Sequence, residues 1–340
     1  MSAPTVRGPR EIPDLRLWLA EQWEPGRVFS RGTRLRSMSP DAMRTPTGTR
    51  PTEAQSAAFA QWEYRTLLDA ELWWVAPPMV DLIDAAVPMI PDDATPADLP
   101  IPSRCGFVVF GSPIIGTDAS SGEEIVVDAV AWNATTRLPP LPGSTWRMAL
   151  GISSYRWVNF DDDETLEEAG DALLATGYAA GRMVSLHGST WVPLGRSDWP
   201  VHEHLESSPW EMDEHVRASF IEDRRLMAAL FTLLAQQGVT SRTIEKPERA
   251  AIRRHKRAGV DPNLADVQVV ELRRPRYVQG DKPEGDGVAW SKRWLVGGHM
   301  RWQACGEGRK DRKLIFIAPY IKGPDDKPFV APQRVNSWVR

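Results

Sequence analysis

Apolar and polar positions follow two rhythms along this chain. Recurrence every three or four residues predicts helices, and alternation or short apolar runs between Gly, Ser and Pro predict strands. Leu15, Leu17, Trp18 and Leu19 place a helix over 14–22. Thr52 caps a second helix over 54–72, rich in Ala, Gln, Glu and Leu. Trp73, Trp74 and Val75 either close that helix or form a brief strand, and Pro77-Pro78 stops it. A short amphipathic helix follows over 79–87. Trp62, Trp73 and Trp74 read as core anchors, since large aromatics dominate burial.

Strand patterns then take over. Residues 106–110, 114–115, 124–133 and 146–152 predict strands, and 153–160 and 183–194 extend the series. Between them the acids at 161–164 open a helix over 164–179, where first-turn carboxylates suit the macrodipole. The longest helix spans 213–238, with Val216, Phe220, Leu226, Leu230, Leu233 and Leu234 on its apolar face and Gly238 as its stop. The polar residues 239–246 read as a turn. Pro247 opens a helix over 248–258, and 267–272 (VQVVEL) is a firm strand.

The stretch 290–324 ends the pattern with an antiparallel hairpin. Alternation over 293–300 and the apolar run 314–317 flank a turn, GEGRKDRK, whose Gly residues permit positive φ and whose charges resist burial. Residues 320–321 extend the second strand beyond Pro319, which cannot donate to a ladder and predicts an edge or a bulge. The fold class expected is α+β, helices plus a mostly antiparallel sheet in two domains. Residues 1–205 would form an acidic α+β domain with an Arg-rich N-terminal arm (Arg27, Arg31, Arg34, Arg36, Arg44 and Arg50). Residues 206–340 would form a basic domain of two helices and a small antiparallel sheet.

Charge sharpens this division. The chain of 340 residues carries a net charge of −4. Residues 241–340 hold 22 Lys and Arg against 12 acids, a net of +10, which leaves −14 for the rest. Such asymmetry suggests an anionic partner for the basic part, or attraction between the two halves. No apolar run approaches the ~20 residues of a membrane span, so no membrane partner is expected. MSAPTVRGPREIPD lacks the apolar core of a signal peptide. Two distant cysteines, Cys105 and Cys305, give neither a disulfide framework nor a zinc pattern. A cytoplasmic location follows as the expectation, and no cofactor is implied.

Three sets of residues carry candidate chemistry. Arg249, Arg253, Arg254, Lys256 and Arg257 on the basic helix, with Arg301, Arg309, Lys310, Arg312 and Lys313 on the hairpin, form a nucleic-acid-binding set, DNA or RNA. Trp294, Trp302 and Tyr320 interleave with the hairpin cations and offer stacking surfaces. The same compositions suit a solvated helix and a solvated tip. His299, with Arg301, Gln303 and Lys313, is the catalytic candidate: a base, an anion clamp and a polar orienter for a nuclease-like or phosphoryl-transfer enzyme. No P-loop or GxSxG motif accompanies it. His202, His204 and His215 are metal-ligand candidates among acids, without a recognised spacing. The run at 161–164 is an oxygen-ligand alternative to helix capping. A third class of function is a protein-interaction module whose acidic first half mimics nucleic acid or docks a basic host factor.

Several segments between 221 and 328 also carry a resemblance: RRLM at 224–227, LLAQQ at 233–237, the Arg-rich helix, VQVVELRR at 267–274, and RWLVGGHMRWQ at 293–303 leading to IAPYIKGPDDKP. This third of the chain resembles uncharacterised proteins of actinobacteria and of their phages and mobile elements, a set with no known activity. The resemblance implies an origin in such an organism or element and a cytoplasmic location, and implies no catalytic role; the charge split, the basic helix and the cationic hairpin add the expectation of a nucleic-acid-associated accessory protein.

Overall fold

The computed structural model describes residues 6–24, 27, 53–91, 99–117, 124–138, 147–159, 182–193, 214–273, 291–324 and 327–328. The fold is α+β. Its centre is a seven-stranded mixed sheet in the order β5-β4-β3-β2-β1-β7-β6. These strands are β1 (Glu71–Val75), β2 (Cys105–Thr117), β3 (Glu124–Leu138), β4 (Arg147–Asn159), β5 (Arg182–Pro193), β6 (Thr240–Glu245) and β7 (Val267–Leu272). β1 runs parallel to both β2 and β7, and the remaining pairs are antiparallel.

Helices cover both faces. On one lie α3 (Pro77–Ala86) and α4 (Glu214–Ala235), packed on Trp73, Val75, Val108, Phe110, Val130 and Trp132. On the other lie α1 (Ile12–Trp23) and α2 (Glu53–Leu68), packed on Leu72, Phe107, Val109, Ala131 and Tyr155. Alternation along β1 and β2 sends successive side chains into the two cores. α5 (Arg249–Arg257) packs in the α1 layer. Trp73 is a core anchor, whereas Trp62 and Trp74 are half-buried.

Several expectations change. The segment read as a polar turn at 239–246 is β6. Its middle four residues are exposed because it is the sheet's outer edge and pairs only with β7, so it lacks an apolar signature. β6 and β7, assigned from sequence to a second domain, complete the sheet begun by β1–β5. The strands expected at 146–152 and 153–160 are one strand, β4. The helix expected at 164–179, the acids at 161–164, the arm residues from Arg31 to Arg50, and His202 and His204 lie outside the described residues.

The cores hold polar groups that periodicity does not announce. Glu63 of α2 is wholly buried and accepts hydrogen bonds from the hydroxyls of Ser153 and, at 3.1 Å, Tyr155. Burial and the neighbouring Glu63 carboxylate push the Tyr155 phenol well up. Asn133 donates to Thr66 Oγ1 at 3.0 Å beside this cluster. Arg16 of α1 is also wholly buried, donates from Nη1 to Ala70 O at 2.8 Å, and is pushed down to about 9 by burial. No helix among the described residues is long and apolar enough to cross a membrane.

Candidate nucleic-acid interface

After β7 the chain forms two nested antiparallel pairs. β8 (Trp294–Val296) pairs with β11 (Tyr320–Lys322), and inside them β9 (His299–Cys305) pairs with β10 (Asp311–Ile317). Together they make one long ribbon with a break, where Gly297-Gly298 lies across from Ala318-Pro319. Pro319 cannot donate to the ladder, as its position foretold. A Cβ at Gly298 would come within 2.7 Å of the Phe316 ring, so the close crossing there requires glycine. The tip turns over Gly306 (φ 72°), Gly308 (φ 64°) and Arg309 (φ 58°). Asp311 to Lys313, read from sequence as part of the turn, are already in β10.

The register divides the β9–β10 ribbon into two faces. Met300, Trp302, Leu314 and Phe316 face the α4 core: Leu314 and Phe316 are buried, and Met300 and Trp302 pack against them. Burying a side chain of this size contributes roughly 1.5–3 kcal/mol. Gln236, just past the end of α4, grips the ribbon edge: its Oε1 accepts from Phe316 N–H at 2.8 Å and its Nε2 donates to Phe316 O. Trp302, expected to stack with ligand, is therefore turned inward.

The opposite face carries His299, Arg301, Gln303 and Lys313, with Ile315 opposite Arg301 and Lys313 opposite Gln303. Three expected catalytic partners thus share a face with His299. Arg301 donates from Nη2 to Gln303 Oε1, and Gln303 Nε2 donates to Ala304 O at 3.2 Å. His299 Nδ1 lies 3.1 Å from Gly297 O. Arg301, Arg309, Lys310, Arg312 and Lys313 are exposed, and none makes an ion pair among the described residues. Residues 291–324 hold eight basic against two acidic side chains, a net of +6. Beyond the break, Lys322 Nζ lies 5.9 Å from the Trp294 ring centre, and Tyr320 is exposed.

No family model, curated protein or solved structure matches this chain. The geometry of its own side chains therefore has to carry the functional argument.

The basic helix stands elsewhere. α5 lies in the layer of α1, and the ribbon lies in the layer of α4, across the sheet. Arg254 is committed to Asp14 by two hydrogen bonds, at 2.7 and 2.5 Å, and the carboxylate holds the guanidinium pKa up. Its neighbour His255 is buried, with Nδ1 2.8 Å from Ala251 O and its pKa lowered, chiefly by burial. Arg249, Arg253, Lys256 and Arg257 are exposed. Arg254 to Arg257 fill the last turn of α5, where cations offset the negative end of the helix, so part of this charge has a local structural reason.

His215 belongs to the first turn of α4, and no metal-binding group of three His, Cys, Asp or Glu occurs among the described residues. A cavity of about 430 Å³ opens beside Pro100, Pro102, Gln237, Thr240 and Arg242, and none of the sequence-selected residues lines it. The grip of Gln236 was invisible in the sequence, where this residue reads only as the end of a helix.

Proposed function

We propose that this protein binds nucleic acid through the outward face and tip of the β9–β10 ribbon, as an accessory protein of a phage or mobile element. The observation that carries the binding is the set of four cations, Arg301 and Lys313 on the outward face and Arg309 and Lys310 at the tip, exposed without acidic partners among the described residues on a ribbon anchored from behind. Arg312 is also exposed but pairs with Ala304 and stands on the opposite face. Arg and Lys that neutralise phosphates release condensed counterions. Three to four such contacts give a salt slope of about −2.7 to −3.6, which is about a 40- to 150-fold loss of affinity between 50 and 200 mM salt. The origin in a mobile element is supported by the motif resemblance alone.

The test is anisotropy of labelled DNA and RNA across that salt range. An Arg309→Ala/Lys310→Ala/Lys313→Ala variant should weaken binding and flatten the slope by about one per lost contact. Arg254→Ala, which removes a cation already paired to Asp14, should leave binding unchanged. Absent or salt-independent binding by the intact protein refutes the proposal.

A second reading is favoured by the shared face of His299, Arg301, Gln303 and Lys313. In the neutral ring, Nδ1–H of His299 donates to Gly297 O, leaving Nε2 as the basic nitrogen. A nuclease-like enzyme would use that nitrogen on a phosphodiester held by Arg301. Cleavage of labelled RNA or DNA, lost in His299→Ala, would establish it. Persistence of cleavage in that variant would exclude it.

A further inference from the structure

Given nucleic-acid binding at this face, as proposed above, we infer that the ligand is duplex DNA, entered in its major groove by the β9–β10 ribbon, with Arg301 and Gln303 reading base edges. The major groove is ~12 Å wide and ~8.5 Å deep and admits a two-stranded ribbon. Two strands ~4.8 Å apart, with side chains on the exposed face, fill that width. Ribbons that read DNA present one face to the groove. Here most of the other face is used, since Met300, Trp302, Leu314 and Phe316 hold the ribbon to the α4 core, and only its tip end, at Ala304 and the exposed Arg312, extends beyond that contact.

Spacing supports base reading. Arg301 and Gln303 are two residues apart on one face, about 6.8 Å along a strand, which equals two base-pair rises at ~3.4 Å. Arg matches guanine O6 and N7, and Gln matches adenine N6 and N7. Ile315, opposite Arg301, is an apolar surface of the kind that meets a thymine methyl. In the free protein the Arg301–Gln303 hydrogen bond keeps both polar groups together on this face, and a base edge replaces it on binding. Arg309 and Lys310 at the tip then fall to the phosphates.

The same face argues against other nucleic acids. Between His299 and Ile317 it presents no Phe, Tyr or Trp, because Trp302 and Phe316 point to the core. Single strands are held mainly by stacking on such rings. Duplex RNA has a deep, narrow major groove that side chains do not read.

The test is selection of binding sites from a random duplex DNA library with the full chain, followed by anisotropy at one salt concentration. The expected result is an enriched motif with a guanine and an adenine at fixed short spacing. Arg301→Ala should relax the guanine and weaken the selected site roughly 5- to 150-fold; Gln303→Ala should do so at the adenine. Arg309→Ala/Lys310→Ala should weaken all sequences alike and leave the motif intact. Both Arg301 and Gln303 lie off the core face, and an unchanged melting temperature confirms folded variants. Salt-dependent binding without an enriched motif, or tighter binding to single strands or duplex RNA, overturns the major-groove assignment and leaves the proposed function standing. Loss of all binding overturns both.

Discussion

Gln236→Leu tests what holds the ribbon in place. Gln236 is fixed by its own backbone: its carbonyl accepts from Val239 N–H at 2.9 Å and Thr240 N–H at 3.0 Å. Its side chain satisfies both the N–H and the C=O of Phe316. In an antiparallel ladder, residues alternate between bonding their partner and pointing outward. The backbone N–H and C=O of Phe316 point away from β9, toward Gln236, so Ile315, which pairs with Arg301, makes the ladder bonds to β9. Gln236 therefore acts as a short third strand on the free edge of β10. Leucine retains the volume and removes two hydrogen bonds, each worth roughly 0.5–1.5 kcal/mol net. The ribbon should lose about 1–3 kcal/mol of docking stability. Native-state hydrogen exchange reads this locally. The Phe316 and Ile315 amides should exchange about 5- to 150-fold faster, while the Val130 amide in the central sheet is unmoved. Gln236→Glu should fall between, because the carboxylate still accepts from Phe316 N–H but faces its carbonyl oxygen. Unchanged exchange at Ile315 and Phe316 in Gln236→Leu would show that apolar packing alone docks the ribbon.

Two further outcomes follow from the cores. A Cβ at Gly106 would overlap the indole of Trp132, which is wholly buried and tied by Nε1–H to Ser103 O at 3.0 Å. Gly106→Ala should cost about 3 kcal/mol or more by overpacking, and adding Trp132→Leu should recover part of it in a denaturant double-mutant cycle; additive losses would place the strain elsewhere. His255 is held below its ordinary 6.5, first by burial, so the unfolded chain binds its proton more readily than the folded one. Its contribution is full above 6.5 and falls as pH drops through that value. His255→Gln should flatten this acid-side loss in melting experiments between pH 7 and 5. An unchanged pH profile would mean that the ring charges without penalty.

Local chemistry made much of this molecule readable. Leu15, Trp18 and Leu19 marked α1, and Val216 to Leu234 marked α4, because apolar side chains at helical spacing have one face to bury. Gly306 and Gly308 marked the hairpin tip, because the turn needs positive φ. β6 escaped notice because an edge strand with four exposed residues has no reason to be apolar. The candidate site was half legible: His299, Arg301, Gln303 and Lys313, grouped from sequence, share one ribbon face, but Trp302, assigned to ligand, packs on the core.

The sequence by itself marked most of the helices and buried strands, where the ribbon turns and breaks, and where positive charge accumulates. These depend on backbone freedom and side-chain period within a few residues. Only the tertiary structure decided that β1 lies between β2 and β7, that segments read as two domains share one sheet, and that α5 and the ribbon stand on opposite sides of it. Tertiary structure also closed the long-range pairs, Glu63 with Ser153 and Tyr155, Arg254 with Asp14, and Gln236 with Phe316. Such contacts join residues up to 240 positions apart. Their energies depend on which apolar faces find each other, and no window of neighbouring residues encodes that.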